Sequence, residues 1–190
     1  ASESDAIVLR SIMEFEYHTD MARWMGYGRE FQDMEINVHI SGKRGPAGIR
    51  EVYGKLSPEA RNTITIENEE ITHGLDTCLS LGNLLPIVLD IHHHWVREGE
   101  YISAQDTRVR KVIDSWRGVR PTLHYSVSRE DTLVGHDKSV PPNKQLLTES
   151  GFSKQKLRAH SDTYWNQAVN EWASSFTHDF DIMCEAKAKN

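Results

Sequence analysis

The 190-residue chain has 38% hydrophobic and 26% charged residues, a formal net charge of −6 and ten histidines. One ordinary domain with a sizeable core is the expectation at this length, and the acid excess argues against a generally basic nucleic-acid surface while leaving room for a local basic face. No segment approaches the apolar length of a membrane span, the opening ASESDAIVLRS lacks the basic and apolar regions of a signal peptide, and Cys78 and Cys184 lack the spacing of a disulfide framework or zinc knuckle. A reducing cytoplasm is the expected compartment.

Along the chain, apolar residues at roughly helical spacing (Ile7, Leu9, Ile12, Met13, Phe15, Met21, Trp24) predict a helix over 3–26, ended near Gly26 and Gly28. A strand over 35–40 stops at the loop SGKRGP, and a short helix over 47–55 leads past Ser57-Pro58 to a second strand, 63–66. A helix over 72–82 precedes LLPIVLD, a short apolar run that predicts a strand buried on both faces over 86–90, and three histidines follow it. A helix over 104–116, a strand over 121–126, a long polar stretch over 127–156, a helix over 157–176 and a strand over 180–185 complete the chain. Five strands alternating with helices predict a parallel α/β architecture in a single domain over 1–190. The 127–156 segment is then a long loop inserted after the fourth strand.

Potential ligands fall at the strand ends: His39, Glu67, Asp90 with His93, His124 and Glu185, with His160 at the start of the last helix. In a βα barrel such ends share one face, so these groups would meet. Taken singly, His39 or His124 is more often a hydrogen-bonded structural residue, Glu67 in its ENEE run a solvated face, and Glu185 a surface partner of nearby lysines. Their common placement is what points to a metal site. Histidines and carboxylates without cysteine suit manganese, zinc or iron, and two or three such ions can clamp a phosphodiester. His92 and His94 flank His93 and are expected to face away, with at most one joining the site. His18, His73 and His178 read as surface or packing residues, and His136 lies in the long loop.

INVHISG (36–42), ITIENEE (64–70), LLPIVLDIHHHW (84–95), PTLHYS (121–126), LRAHSDTY (157–164) and DIMCEAK (181–187) resemble, in order, the strand-end motifs of UV damage endonucleases. The resemblance implies a TIM-type βα barrel of eight strands, of which this chain would hold the C-terminal five and lack about three N-terminal ones. It further implies an enzyme that nicks double-stranded DNA 5′ to ultraviolet photoproducts. The implied cofactor is two or three divalent ions, manganese first and zinc or magnesium as alternatives. By match, His39, Glu67, Asp90, His93, His124, His160 and Glu185 are the implied metal ligands. Glu67, Asp90, His124 and Glu185 would hold the inner ions and serve catalysis. Thr122 stands where relatives often carry lysine.

For DNA contacts, Lys43 and Arg44 lie in the loop after the first strand, and Asn68 follows Glu67, where it is expected to orient a ligand or touch a phosphate. Lys138, Lys144 and Lys154 belong to the 127–160 segment, whose six cations against four carboxylates contrast with the acidic whole. The implied partners are lesion-bearing DNA and an N-terminal portion or second copy that completes the barrel, with no membrane. The implied location is the cytoplasm, with the nucleoid, or a eukaryotic nucleus. Competing readings are a sugar isomerase or abasic-site endonuclease on the same kind of barrel, or an inactive piece that binds DNA or a partner.

Overall fold

The computed structural model describes residues 4–40 and 42–188. Helix α1 (Asp5–Trp24) is followed by β1 (Ile36–His39), α2 (Gly45–Tyr53), α3 (Pro58–Thr63), β2 (Ile64–Glu67), α4 (Leu75–Leu79) and β3 (Ile87–Asp90). Then come α5 (Ile91–Glu98), α6 (Thr107–Ser115), β4 (Thr122–Tyr125), α7 (Lys144–Glu149), α8 (Lys154–Leu157), α9 (Gln167–Ser174) and β5 (Asp181–Cys184). Among the described residues the five expected strands pair in parallel in the order β1-β2-β3-β4-β5. The chain is α/β, with helices between successive strands as in a βα barrel.

Side chains alternate across a strand. One row, Ile64, Ile66, Ile87, Leu89 and Leu123, is buried in a core that also takes in Val52, Cys78, Val109 and Val112 from the helices. The register aligns the other row: Asn37 with Thr65, His39 with Glu67, Glu67 with Val88, and Asp90 with His124. The polar groups therefore share the face away from the helices. Helix α6 is tied under β3 by Ser115 Oγ, which accepts from the Ile87 N–H at 3.0 Å, and by Trp116 Nε1, which donates to the Ile87 carbonyl at 2.8 Å.

Three expectations are corrected and one helix is added. Helix α1 forms where expected, but its buried line runs through Val8, Thr19 and Ala22, with Ile12 and Phe15 partly buried. Ile7, Leu9, Met13, Met21 and Trp24 are exposed. The line 8-12-15-19-22 follows the 3.6-residue period more closely.

The histidines after Asp90 belong to a helix that was not among the expected elements. They open α5, with Asp90 as its N-cap accepting from the His93 N–H at 2.7 Å and Gly99 closing it at φ +77°. An Asp before the helix and a left-handed Gly after it are ordinary capping choices.

The stretch after β4 is not one long loop. It contains a 3₁₀ turn (Glu130–Leu133), α7 and α8, and it docks Leu133 and Leu157 on Trp95 and Val96 of α5. Finally, no single helix spans 157–176. The backbone of 158–166 pairs outside itself, with Arg129 N–H donating to Ala159 at 3.1 Å and Ser161 N–H to Val127 at 2.8 Å, so α9 starts only at Gln167. His160 consequently stands in an antiparallel bridge with Ser128 rather than at a helix start.

Candidate metal centre

Glu67 is the hub. Its Oε2 lies 3.2 Å from His124 Nδ1 and 3.7 Å from His39 Nε2, while its Oε1 lies 3.4 Å from His93 Nδ1. Asp90 Oδ2 lies 3.3 Å from the same His93 nitrogen, and Glu185 Oε1 lies 3.3 Å from His124 Nδ1. His160 Nδ1 faces Glu185, 3.2 Å from its carbonyl and 4.0 Å from Oε2. All seven sequence-predicted ligands thus gather at one end of the sheet. Burial grades outward, from Asp90 (0% exposed), Glu67 (3%) and His124 (8%) to the half-exposed His39. Three of the cluster's members, His39, His93 and His160, line an open cleft of about 700 Å³.

Two triplets, His39-Glu67-His93 and Glu67-Asp90-His124, bring one ligand atom from each member within 4.8 Å of the others. Their fit to a cation rests on orphaned atoms. Asp90 Oδ2 and His124 Nδ1 are buried and make no hydrogen bond, and leaving such groups unmatched costs several kcal/mol, roughly, unless a charge meets them. An oxygen and imidazole set without sulfur suits manganese or zinc.

The site's electrostatics follow from crowding. Burial raises the Glu67 carboxyl, but the imidazoles of His124, His93 and His39 outweigh it and hold the group well below the usual carboxylate range. At Asp90 burial wins over His93, and the carboxyl is pushed up to about 7. Burial disfavours charge on His93 and His124, yet Asp90 and Glu67 beside them prevail, pushing them up to about 10 and about 9. These are groups whose ionisation a nearby cation would overturn.

On helix α5 successive side chains point about 100° apart, so the three histidines part company. His93 turns into the cluster. His92 is buried, stacks on Trp95 at 5.9 Å, and is pushed down to about 3 by burial and by His93 and His160. His94 is buried on another side of the helix, with Nε2 3.1 Å from Glu100 Oε2.

Asn68 is fully buried, donating to the Asp90 carbonyl at 2.9 Å and accepting from the Asp90 N–H at 3.0 Å. Of the two roles expected of it, burial excludes the phosphate contact and leaves the positioning one. Lys144 donates to the Arg97 carbonyl at 2.5 Å, at the end of α5, where a cation favours the helix dipole. It stands apart from the cleft. Lys138 pairs with Glu130 at 2.7 Å, and Arg44 with Glu51 at 3.1 Å. Lys43 and Lys154 are exposed.

Two residues escaped sequence reasoning. Asn37 donates from its amide to Glu67 Oε2 and accepts from Thr65 Oγ1 at 3.0 Å, which orients the hub carboxylate. Its signal was available, two residues before His39 and therefore on the same strand face. Glu70, buried, brings Oε2 to 3.8 Å from His93 Nε2 and bonds Arg158 at 2.7 Å through Oε1. No sequence spacing links Glu70 to Arg158.

The profile of the UV-endonuclease UvdE family matches residues 1–190. The chain belongs to that family. It is similar to the UV-damage endonuclease of Schizosaccharomyces pombe, 24% identical over 204 residues that span 100% of this chain and 30% of the relative. It is likewise 23% identical over 199 residues to the UV DNA damage endonuclease of Bacillus cereus, spanning 100% of this chain and 55% of the relative. The crystal structure of SacUVDE shares its fold at a TM-score of 0.67 and 22% identity, over 97% of this chain and 55% of that one. The chain thus spans about a third to a half of the length of these relatives. No helix among the described residues is long and apolar enough to cross a membrane.

Proposed function

We propose that this UvdE-family chain carries most of the metal centre of a DNA repair endonuclease that nicks the strand 5′ to ultraviolet photoproducts, working where the DNA is kept. The convergence of His39, Glu67, Asp90, His93, His124, His160 and Glu185 at one end of a parallel sheet carries the reading. Glu67 belongs to both ligand triplets and would serve as a ligand in either, manganese being the first candidate ion.

A divalent ion held there supplies charge neutralisation on a phosphodiester and acidifies water. The chain's own groups prepare the site. Glu67 stays ionised in a buried setting because imidazoles surround it. Asn37 and Asn68 hold Glu67 and the Asp90 backbone in place. His93 and His124 keep protons that a bound cation would displace, and the open cleft beside the half-exposed His39 would receive the DNA strand.

The two free edges of the described sheet, β1 and β5, support completion of the barrel by further βα units or a partner. The decisive assay runs on Ala1–Asn190 and on the complete product of its coding sequence, with manganese and an irradiated end-labelled duplex. Incision on the 5′ side of photoproducts, absent from unirradiated duplex and abolished by EDTA, is expected. Absence of incision by both preparations, with manganese bound, defeats the reading.

A further inference from the structure

The cleft above the metal cluster is lined by two cations that the ligand set leaves unused, Arg158 and Lys187, together with His39, His93 and His160. Arg158 lies between α8 and the His160 bridge, and its guanidinium is fixed from behind. One Nη donates to Glu70 Oε1 at 2.7 Å, and the other oxygen of that buried carboxylate lies 3.8 Å from His93 Nε2. Glu70 therefore couples the guanidinium to the ligand shell through one side chain. The Arg158 side chain is 42% exposed and lines the cleft, with Nη1 engaged by Glu70. Glu69, the other carboxylate on this wall, is turned to its own loop, where it accepts from the Thr72 and His73 N–H groups. Lys187, exposed, is held across the cleft segment by its backbone, whose N–H donates to the Ser161 carbonyl at 3.0 Å.

An anchored guanidinium with spare donors, a lysine, and carboxylates already committed elsewhere make a receptor for an anion with several oxygens. Resting on the DNA-endonuclease reading of the same site, we propose that Arg158 and Lys187 clamp the backbone phosphate presented to the metal cluster. Glu70 aims the guanidinium and does not touch the phosphate. The clamp reads no base, so it acts equally on damaged and undamaged duplex and sets affinity rather than lesion choice.

The test is fluorescence anisotropy of a labelled duplex, irradiated and unirradiated, over a potassium chloride series in EDTA. R158A and K187A are each expected to weaken binding roughly three- to tenfold and to lower the salt slope by about one. R158K should keep the slope while losing part of the affinity, because an ammonium cannot serve Glu70 and a phosphate with one planar fork. R110A, on the exposed surface of α6, should change neither.

Removing Arg158 leaves Glu70 buried without its partner, so the double variant E70Q/R158A provides a neutral background. Manganese titration calorimetry on R158A and K187A is expected to match the parent. Unchanged affinity and slope in R158A, K187A and the double variant would overturn the clamp and leave the endonuclease reading standing. Loss of manganese binding in R158A would overturn it by assigning Arg158 to the support of His93. No salt-dependent binding to either duplex, by the unsubstituted chain or by the complete product of its coding sequence, would defeat the endonuclease reading and the clamp with it.

Discussion

His124 Nδ1 lies 3.2 Å from Glu67 Oε2 although the two residues stand on strands separated by β3. The register accounts for the meeting. Glu67 is level with Val88, and Asp90, two residues on, is level with His124, so a polar side chain can lean across the small Val88 toward the opposite strand. Glu67 is where the three parts of the cluster join.

Glu67→Gln should therefore be the most damaging single change to metal binding. It removes the charge shared by both triplets while keeping the volume. Titration calorimetry with manganese should show at least a tenfold loss, and the stabilisation of the parent by excess metal, about 2.7 kcal/mol at a hundredfold excess over Kd, should shrink accordingly. An unchanged affinity would remove Glu67 from the ligand set.

Metal binding should release protons. Near pH 7.5 the metal-free His93 and His124, pushed up to about 10 and about 9, are protonated, and ligation requires neutral imidazoles. Calorimetry in buffers of different ionisation enthalpy should report about two protons per filled centre. Proton uptake, or none exchanged, would contradict the geometry.

The same groups set the pH dependence of the metal-free fold. Glu67 is depressed below its unfolded 4.5, so its contribution is present above that pH and lost as pH falls. His93 and His124 are raised above 6.5, so theirs is complete below that pH and lost as pH climbs through about 9 to 10. Asp90, raised from 3.8 to about 7, costs progressively more between those values. The EDTA-treated chain should have a higher Tm at pH 5.5 than at pH 8.5, with manganese narrowing the gap. Equal Tm values without metal would speak against the charge arrangement.

Asn37→Ala should separate positioning from ligation. Asn37 orients Glu67 from β1, and such supporting contacts typically carry about 10- to 100-fold in metal affinity. Circular dichroism and Tm should stay near the parent's while manganese affinity falls. Parent-like affinity would show that Glu67 holds its place without Asn37.

Asn68→Ala should act on the fold first. It strands the buried N–H and carbonyl of Asp90, each worth about 1–3 kcal/mol. A chain of this size loses about 2–4 °C of Tm per kcal/mol. A Tm within a degree of the parent's would mean that water replaces the amide.

The five strands, their parallel class and the residues at their tips were legible in the sequence because each is a local property. A short apolar run predicts a buried strand, and period-two alternation says which side chains share a face with the terminal ligand. Even the α5 helix was legible, in Asp90 at its start and Gly99 at its end. Its apolar period is too weak to announce it, because three histidines fill its first turn.

Tertiary structure alone decided the rest. The helical turn after Asp90 sends His92, His93 and His94 to three different surroundings, and the bridge to Ser128 presents His160 without a helix. Burial decides between the two roles expected of Asn68, making it a clasp on Asp90 rather than a phosphate contact. The pairing of Glu70 with Arg158, 88 residues apart, is set by how the segment after β4 docks on α5. Sequence periodicity reports the direction of a side chain from its own backbone, whereas these contacts depend on the distance between backbones that only packing brings together.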